Sequence, residues 1–234
     1  MQDDKREFTK HHMSTAILVD GGFYRKRSRI LFGDKAPEER ADELSNYCYG
    51  HLKNKHENRY LYRVFYYDCP PVSKSIHNPI TNKTVNLGKS KEFVWMNSFL
   101  NELKRHRKFA LRMGRISENN AEYHLKYETL KKLLRGAITP NDITEHDLEL
   151  NLEQKGVDMR IGVDISSLAF KKQVNQIILI SGDSDFVPAA KQARREGIDF
   201  ILDPMKAPIK ADLFEHIDGI YSPIKKYINK TDPK

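Results

Sequence analysis

Cysteine is nearly absent from this chain, with two residues in 234. Cys48 and Cys69 have neither the spacing of a disulfide framework nor that of a metal-binding knuckle, so both kinds of site are excluded. No apolar run approaches the roughly 20 residues that cross a bilayer. The charged start, Met1 to Lys10, also lacks the apolar core of a signal peptide. We therefore expect a soluble protein of a reducing compartment, the cytoplasm.

Glycine-rich phosphate loops are missing as well. No Gly-x-Gly-x-x-Gly follows an apolar strand, and no Walker-type loop occurs. These absences argue against a dinucleotide-binding protein and against a P-loop NTPase.

Positive charge is abundant but concentrated in one segment. The chain carries a net charge of +8. Between Pro71 and Gly136 there are fourteen Lys and Arg against five Asp and Glu, a net of +9, so the remainder carries −1. An excess confined to one segment favours a polyanionic partner, although a solvated helix face would look the same.

Apolar runs of strand length alternate with segments of helical periodicity. The runs are Ala16–Asp20, Tyr60–Asp68, Phe109–Ile116, Gln176–Ser181, Asp199–Asp203 and Gly219–Tyr221. This alternation is typical of an α/β fold with a mainly parallel central sheet between two helical layers. We expect one domain over residues 14–230, with a basic elaboration at about 70–136. Residues 1–13 are interpreted as an N-terminal extension or a tag remnant.

Helices are predicted from Pro37 to Leu52, Lys91 to His106, Tyr123 to Arg135, Val157 to Ala169 and Asp185 to Glu196. Pro37 suits a first helical turn, and Gly197 is placed to end the last of these helices. The stretch from Cys69 to Lys91, rich in Pro, Asn and Ser, is predicted to be a long loop.

Acidic residues follow two of the apolar strands. Asp20 closes the first strand ahead of Gly21-Gly22, which we expect to turn the backbone sharply. Asp183 and Asp185 follow the strand that ends at Ser181, one residue apart. If these strands are neighbours in a parallel sheet, the three carboxylates meet at its carboxyl edge. Their repulsion would favour a bound cation, and oxygen ligands without Cys or His suit Mg²⁺ or Mn²⁺.

A further helix adds candidates to the same edge. Asp158 lies in its first turn after Lys155 and Gly156, where Asp is also common simply because it complements the helix dipole. Asp164 lies about 120° around the helix from Asp158, so one ion could hardly bind both directly. Asp164 is therefore expected to orient a nearby Lys or Arg. A metal ion at such a site would suit phosphodiester hydrolysis.

The basic segment offers candidates for contacts with nucleic acid. Aromatic residues among Lys and Arg can stack on bases, but Phe93, Met96, Leu100 and Leu103 follow the spacing of a core-facing helix. Trp95 fits that face less well and is the better candidate for a contact. The predicted nucleic-acid contacts are Lys89, Lys91, Trp95, Lys104, Arg105, Arg107, Lys108 and Arg112.

Several segments together resemble the NYN domain of the LabA and DUF88 type, within the PIN-like nuclease superfamily. The matching segments, in family order, are Ile17–Phe23, Val64–Asp68, Phe109–Gly114, Lys155–Asp158 and Ser181–Pro188. The chain departs from many relatives in having Gly22-Phe23 where Asn is common.

The resemblance implies an α/β/α sandwich and a ribonuclease with Asp20, Asp158, Asp183 and Asp185 as its Mg²⁺ or Mn²⁺ cluster. The expected substrate is single-stranded RNA, in preference to DNA. Secondary site candidates are Asp68, Asp164, Lys155, Ser181 and Ser184.

Two alternative functions and one question of assembly remain open at this point. A non-catalytic module on the same fold would bind RNA or a partner protein. A haloacid-dehalogenase-like phosphatase also has an Asp after its first strand, but it needs a second Asp two residues later, where this chain has Gly22. Association of the chain into a homo-oligomer is neither indicated nor excluded.

Overall fold

The structure is a computed structural model and describes residues 12–53, 58–117, 122–152 and 154–224. Most of the predicted N-terminal extension, residues 1–11, lies outside these ranges, as do residues 225–230 of the predicted domain. His12 and Met13, the last two residues of that predicted extension, belong to the first strand of the sheet. No helix in the described part of the chain is long and apolar enough to cross a membrane.

A parallel sheet of six strands forms the centre of the molecule, in the order β12-β11-β10-β1-β2-β5. Three two-stranded sheets, β3-β4, β6-β9 and β7-β8, lie outside it. The strands, numbered along the chain, are β1 His12–Asp20, β2 Asn58–Asp68, β3 Ser75–Asn78, β4 Lys83–Asn86, β5 Phe109–Met113, β6 Arg115–Ile116, β7 Glu122–Leu125, β8 Leu148–Asn151, β9 Gln154–Lys155, β10 Gln176–Ile180, β11 Asp199–Asp203 and β12 Gly219–Ile220.

Helices cover both faces of this sheet, which confirms the predicted α/β sandwich. One face packs against α1, α2 and α3 through residues such as Tyr24, Leu44 and Phe99. The other packs against α5 and α6 through residues such as Ile161 and Ala190. The helices are α1 Gly21–Phe32, α2 Pro37–His51, α3 Lys91–Arg105, α4 Tyr127–Leu134, α5 Val157–Phe170, α6 Val187–Arg195 and α7 Ala211–Glu215.

The two central strands explain why the sheet forms where it does. All five residues of β10 are buried, and β1 is buried from Ser14 to Val19. The strands pair in parallel, with Ile17 opposite Ile178 and Val19 opposite Ile180. Because a strand that is apolar at nearly every position can be satisfied only between two helical layers, these runs occupy the middle of the sheet. Their carboxyl ends, Asp20 and Ser181, therefore become neighbours.

Three local predictions between Cys69 and Arg135 are wrong. The predicted loop from Cys69 to Lys91 contains the hairpin β3-β4, whose short polar strands give little hydrophobic signal. The segment predicted as a helix from Tyr123 is a strand up to Leu125, and α4 begins only at Tyr127. The run from Phe109 to Ile116 breaks at Gly114, where an added Cβ would lie 2.7 Å from the carbonyl oxygen of Lys155.

The glycines after Asp20 lie where the chain passes from strand to helix. The strand β1 ends at Asp20 and α1 begins at Gly21, with no residue between them. Asp20 caps this helix by accepting a hydrogen bond from the Phe23 N–H at 3.1 Å. An added Cβ at Gly21 would lie 2.6 Å from Asp68 Oδ2 and from the Tyr66 hydroxyl. Glycine is thus required there by close packing against β2.

Candidate active site

Four neighbouring strands carry an aspartate at or just beyond their carboxyl ends. In the order of the sheet, β11 ends at Asp203, Asp183 follows β10, β1 ends at Asp20 and β2 ends at Asp68. Because the strands are parallel, these ends share one edge of the sheet, which is where open α/β sheets place their ligands. The first strand and the strand before Ser181 are neighbours, which is the condition that the sequence argument set for bringing their carboxylates together.

Asp20 lies at the centre of this edge and is held in place by two hydrogen bonds. Its Oδ1 accepts from the Phe23 N–H at 3.1 Å, and its Oδ2 accepts from the Ser181 hydroxyl at 3.1 Å. Burial raises the pKa of Asp20, and the negative charges of Asp158 and Asp68 add to that rise, while the two hydrogen bonds oppose it. The carboxylate is therefore fixed in position and surrounded by like charge.

The turn after β10 carries two exposed carboxylates, and hydrogen bonds hold its backbone in place. Ser181 is fully buried, and its hydroxyl oxygen accepts from the Asp183 N–H at 3.3 Å. Asp183 Oδ1 in turn accepts from the Asp185 N–H at 3.0 Å and caps the short 3₁₀ turn Ser184–Phe186. This turn replaces the first residues of the helix predicted from Asp185, and α6 begins only at Val187.

Asp158 approaches the same edge from α5. It lies in the first turn of that helix, after Gly156, whose φ of 79° is in the left-handed region. The pKa of Asp158 is raised, first by partial burial and then by the negative charges of Asp183 and Asp185. Asp158 and Asp185 line the same cavity, so α5 and the turn after β10 bring these two carboxylates near each other.

No cation neutralises these four carboxylates within the described residues. Every ion pair formed there by a Lys, Arg or His side chain goes to another acidic residue. Carboxylate oxygens without sulfur or imidazole are the donors preferred by Mg²⁺ and Mn²⁺, so the donor chemistry fits a hard divalent ion. As they stand, however, no three His, Cys, Asp or Glu side chains of the described part are close enough to hold a metal ion.

The two outer aspartates of the edge are different, because both are buried and fully hydrogen-bonded. Asp203 Oδ2 accepts from the Tyr47 hydroxyl at 2.6 Å and from His51 Nε2 at 2.8 Å. Its Oδ1 accepts from the Met205 N–H at 2.8 Å and from the Ser222 hydroxyl. Four donors thus surround one carboxylate, and its role is to join β11, α2 and the segment after β12.

Asp68, a secondary candidate, is occupied in the same way. Its Oδ2 accepts from Arg25 Nε at 3.0 Å and from the Tyr66 hydroxyl at 2.8 Å. Its Oδ1 accepts from Arg25 Nη2 at 3.1 Å and from the Cys69 N–H at 2.8 Å. The side chain is 1% exposed. Since all its acceptor positions are used, Asp68 has a structural role at this edge. Its two hydrogen bonds with Arg25 fix the position of that side chain.

The other secondary candidates surround the four carboxylates. Asp164 Oδ2 accepts from the Tyr67 hydroxyl at 2.8 Å and from Arg112 Nε at 3.2 Å, so it positions an arginine beside α5. Lys155 and Arg112 line a cavity of about 640 Å³ next to Asp158, together with Arg115 and Arg160. Ser184 accepts a hydrogen bond from Lys210 Nζ at 3.1 Å.

The predicted nucleic-acid contacts divide into two groups. Lys91 and Trp95 lie at the start of α3 and line a cavity that reaches Gly22, close to Asp20, and Lys89 lies in the 3₁₀ turn just before them. The helix then runs back to the amino edge of the sheet, as crossover connections between parallel strands must. Its last residues and the following turn are therefore at the opposite edge from the carboxylates; these residues are Lys104, Arg105, Arg107 and Lys108.

The structure also shows a basic surface that the sequence analysis missed. Directly after Asp20, α1 carries the run Arg25-Lys26-Arg27-Ser28-Arg29, and Arg25, Lys26 and Arg29 line the same cavity as Trp95. The signal was present, since three consecutive basic residues follow a candidate ligand by five positions. It was overlooked because the net charge outside residues 71–136 is close to zero.

Comparisons with known proteins add a family assignment. The model of the family described as "NYN domain" matches residues 80–215, more than half of the chain. A search of curated proteins finds no match. Among solved structures, a protein of unknown function from Vibrio parahaemolyticus is similar, with 15% identity, 94% of each chain covered and a TM-score of 0.45.

Proposed function

Because the chain belongs to the NYN domain family, within the PIN-like nuclease superfamily, we propose that it is a metal-dependent ribonuclease that hydrolyses phosphodiester bonds of single-stranded RNA. The site we propose consists of Asp20, Asp158, Asp183 and Asp185. The observation that carries the proposal is their shared edge without a cationic partner among the described residues, in a chain whose net charge is +8. Carboxylates left in this state are destabilising unless a cation binds them.

We propose Mg²⁺ or Mn²⁺ as that cation, held by these four side chains. Such an ion, when bound, would stabilise the negative charge that develops on the phosphate and lower the pKa of the attacking water. Asp20 has least freedom, since Phe23 and Ser181 hold both of its oxygens. Asp158, Asp183 and Asp185 are exposed, so their side chains are free to change rotamer when an ion binds.

Basic residues beside the four carboxylates would bind the phosphates of the strand. On the α5 side, Arg112 is held by Asp164 and by a contact with the Phe65 ring, 5.2 Å from the guanidinium carbon to the ring centroid. Lys155 and Arg160 line the same cavity. An arginine with a fixed plane binds phosphate with less loss of side-chain entropy than a free one. The strand is therefore expected to cross the edge next to Asp158.

A second candidate function is an RNA-binding or protein-binding module without turnover. One observation favours it, namely that no three candidate ligands of the described residues are close enough to hold a metal ion as they stand. Under this alternative the carboxylates would not move together, and RNA would bind without being cut.

Cleavage assays separate the two functions. End-labelled single-stranded RNA, double-stranded RNA and single-stranded DNA of one sequence are incubated with the protein in Mn²⁺, Mg²⁺ or EDTA. The ribonuclease proposal expects cutting of single-stranded RNA with metal and none with EDTA. RNA that is bound but stays intact in both metals would establish the module instead, and faster cutting of DNA would overturn the assignment of substrate.

A further inference from the structure

A cavity of about 720 Å³ opens beside the candidate active site, on the face of the sheet opposite α5. Helix α1, the turn before α2 and the first turns of α3 form its walls, through residues that include Gly22, Arg25, Lys26, Lys91 and Trp95. Six of the lining residues are Lys or Arg and two are Asp or Glu. The cavity is therefore suited to an anion that is larger than a single phosphate.

The cavity reaches the candidate site through Gly22. A Cβ built on this glycine would lie 3.6 Å from Asp20 Oδ1 and would meet nothing else within 4 Å. No side chain thus separates the cavity wall from the central carboxylate. A group in the cavity would be the immediate neighbour of a group bound at Asp20.

One of the cations in the cavity is fixed in advance. Arg25 donates to both oxygens of buried Asp68, and its side chain remains 23% exposed toward the cavity. The remaining nitrogen, Nη1, lies 3.9 Å from Glu92 Oε1, a carboxylate that is largely exposed. A guanidinium held in this way loses little conformational entropy when it binds a phosphate.

Two further cations are available, whereas the others are already paired. Arg29 pairs with Asp34 at 2.7 Å, and Lys35 pairs with Glu43 at 2.7 Å. Lys26 and Lys91 are exposed, and within the described residues neither forms an ion pair. Each can turn its ammonium group toward a ligand at low cost.

The cavity also has an aromatic surface. Trp95 is half-buried, its ring stacks on Phe99 with centroids 5.1 Å apart and 18° between the planes, and its Nε1–H donates to the Lys35 carbonyl at 3.0 Å. These contacts fix the indole while part of it lines the cavity. Bases stack on fixed aromatic rings of this kind, with about 1–3 kcal/mol per base.

We propose that this cavity binds one nucleotide of a single-stranded nucleic acid, the neighbour of the phosphate that is cut at Asp20. Its phosphate contacts Arg25, Lys26 and Lys91, and its base lies on Trp95. The inference rests on the proposed function for the position of the cut, but binding in the cavity is measurable without any cleavage.

Trp95 supplies the readout, because it is the only tryptophan of the chain. A ten-nucleotide single-stranded RNA is titrated in EDTA, which prevents cleavage, while Trp95 fluorescence and the anisotropy of a label on the RNA are recorded. The two signals should give the same dissociation constant, with the fluorescence quenched by the stacked base.

A charge-matched pair of variants tests the cations. Lys26→Ala with Lys91→Ala should weaken binding about tenfold and lower the salt slope by about 1.4, since each phosphate contact to a single strand contributes about 0.7. Lys171→Ala with Arg195→Ala removes the same charge far from the cavity and should change neither quantity appreciably. Both pairs are exposed, so folding should persist, which circular dichroism checks.

Three results would overturn the inference. Anisotropy that reports binding while Trp95 fluorescence stays constant would place the strand elsewhere and leave the ribonuclease proposal intact. Equal losses of affinity in both variant pairs would mean that only total charge matters. Absence of binding in both signals would contradict the cavity and the ribonuclease proposal together.

Discussion

The inner and outer aspartates of one sheet edge differ in their burial and in the number of hydrogen bonds that they accept. The outer pair, Asp68 at the end of β2 and Asp203 at the end of β11, is buried, and each of the two accepts four hydrogen bonds. Asp20 and Asp183, on the inner strands, have no cationic partner among the described residues, and Asp158 and Asp185 add further negative charge beside them. The same residue type therefore has a structural role at the flanks and is available for chemistry at the centre.

The difference arises from the contribution that each carboxylate makes to the free energy of the folded state. A buried carboxylate that accepts hydrogen bonds from four donors replaces the hydrogen bonds that it would make to water. Removing the carboxylate would leave those donors unsatisfied. A cluster of carboxylates without partners raises the free energy of the folded state by mutual repulsion. A cation that binds the folded state would remove this repulsion. Under the proposed function the inner group is therefore stabilised by its metal ion, whereas the outer pair is stabilised by hydrogen bonds within the protein.

The largest effect should follow from changing the inner pair. Asp183→Asn with Asp185→Asn keeps the shape of the turn, because an Asn oxygen can still cap the 3₁₀ turn, but removes two proposed metal ligands. Cleavage of single-stranded RNA in Mn²⁺ should fall by more than about 100-fold, beyond the loss typical of residues that only support ligands. Full cleavage in this double variant would show that the site lies elsewhere.

The next effect concerns Asp203 and should appear in stability rather than in metal binding. Asp203→Asn replaces one acceptor oxygen with an NH₂ group that faces donors, which should lower the free energy of unfolding by about 2–4 kcal/mol. Urea denaturation measures this loss. Asp212→Asn, on an exposed residue, is the matched control, with a change within about 0.5 kcal/mol. A stable Asp203→Asn protein with weakened Mn²⁺ affinity would reverse the roles that we assign.

Asp68→Asn should have a smaller effect on stability and an additional one on RNA binding. Arg25 is partly exposed and can regain water, so we expect a loss of about 1–3 kcal/mol, less than for a fully buried ion pair. Arg25 would also lose its fixed orientation, and RNA affinity should fall several-fold in fluorescence titrations. If affinity is unchanged while stability drops, Arg25 does not contact the strand.

The smallest effect is expected from Tyr47→Phe, which deletes one of the four donors to Asp203. The other three remain, so the unfolding free energy should decrease by about 1 kcal/mol, the usual net value of one hydrogen bond. Measurement by the same urea series makes the two values comparable. A loss as large as that of Asp203→Asn would mean that Tyr47 alone carries the network.

The sequence predicted the sheet and its edge because both depend on local hydrophobic pattern. The runs before Asp20 and Ser181 are apolar at nearly every position, so their central place followed without tertiary information. Their adjacency was only a condition of the sequence argument, and the sheet order supplies it. The division of the aspartates did not follow. Asp68 is paired with Arg25, 43 residues away, and Asp203 is hydrogen-bonded to His51, 152 residues away, and neither partner is visible near them in the sequence.

The basic residues show the same limit. Charge density favoured Lys104 to Lys108, but the direction of α3 places them at the amino edge, whereas its first turn carries Lys91 and Trp95 to the carboxyl edge. The cavity next to Asp20 depends on a contact between the turn before α2 and α3 across 60 residues of sequence, from Lys35 to Trp95. Neither the periodicity nor the composition of the sequence indicates that contact.

The most direct test of the account is the unfolding free energy of the wild type and of the Asp183→Asn, Asp185→Asn variant, with and without Mn²⁺. Without metal, the variant should be at least as stable as the wild type, because two repelling charges are gone. With Mn²⁺ at about 100 times its dissociation constant, the wild type should gain about 2.7 kcal/mol and the variant much less. A variant that is less stable without metal, yet gains as much from Mn²⁺ as the wild type, would contradict the assignment of the inner carboxylates to a cation.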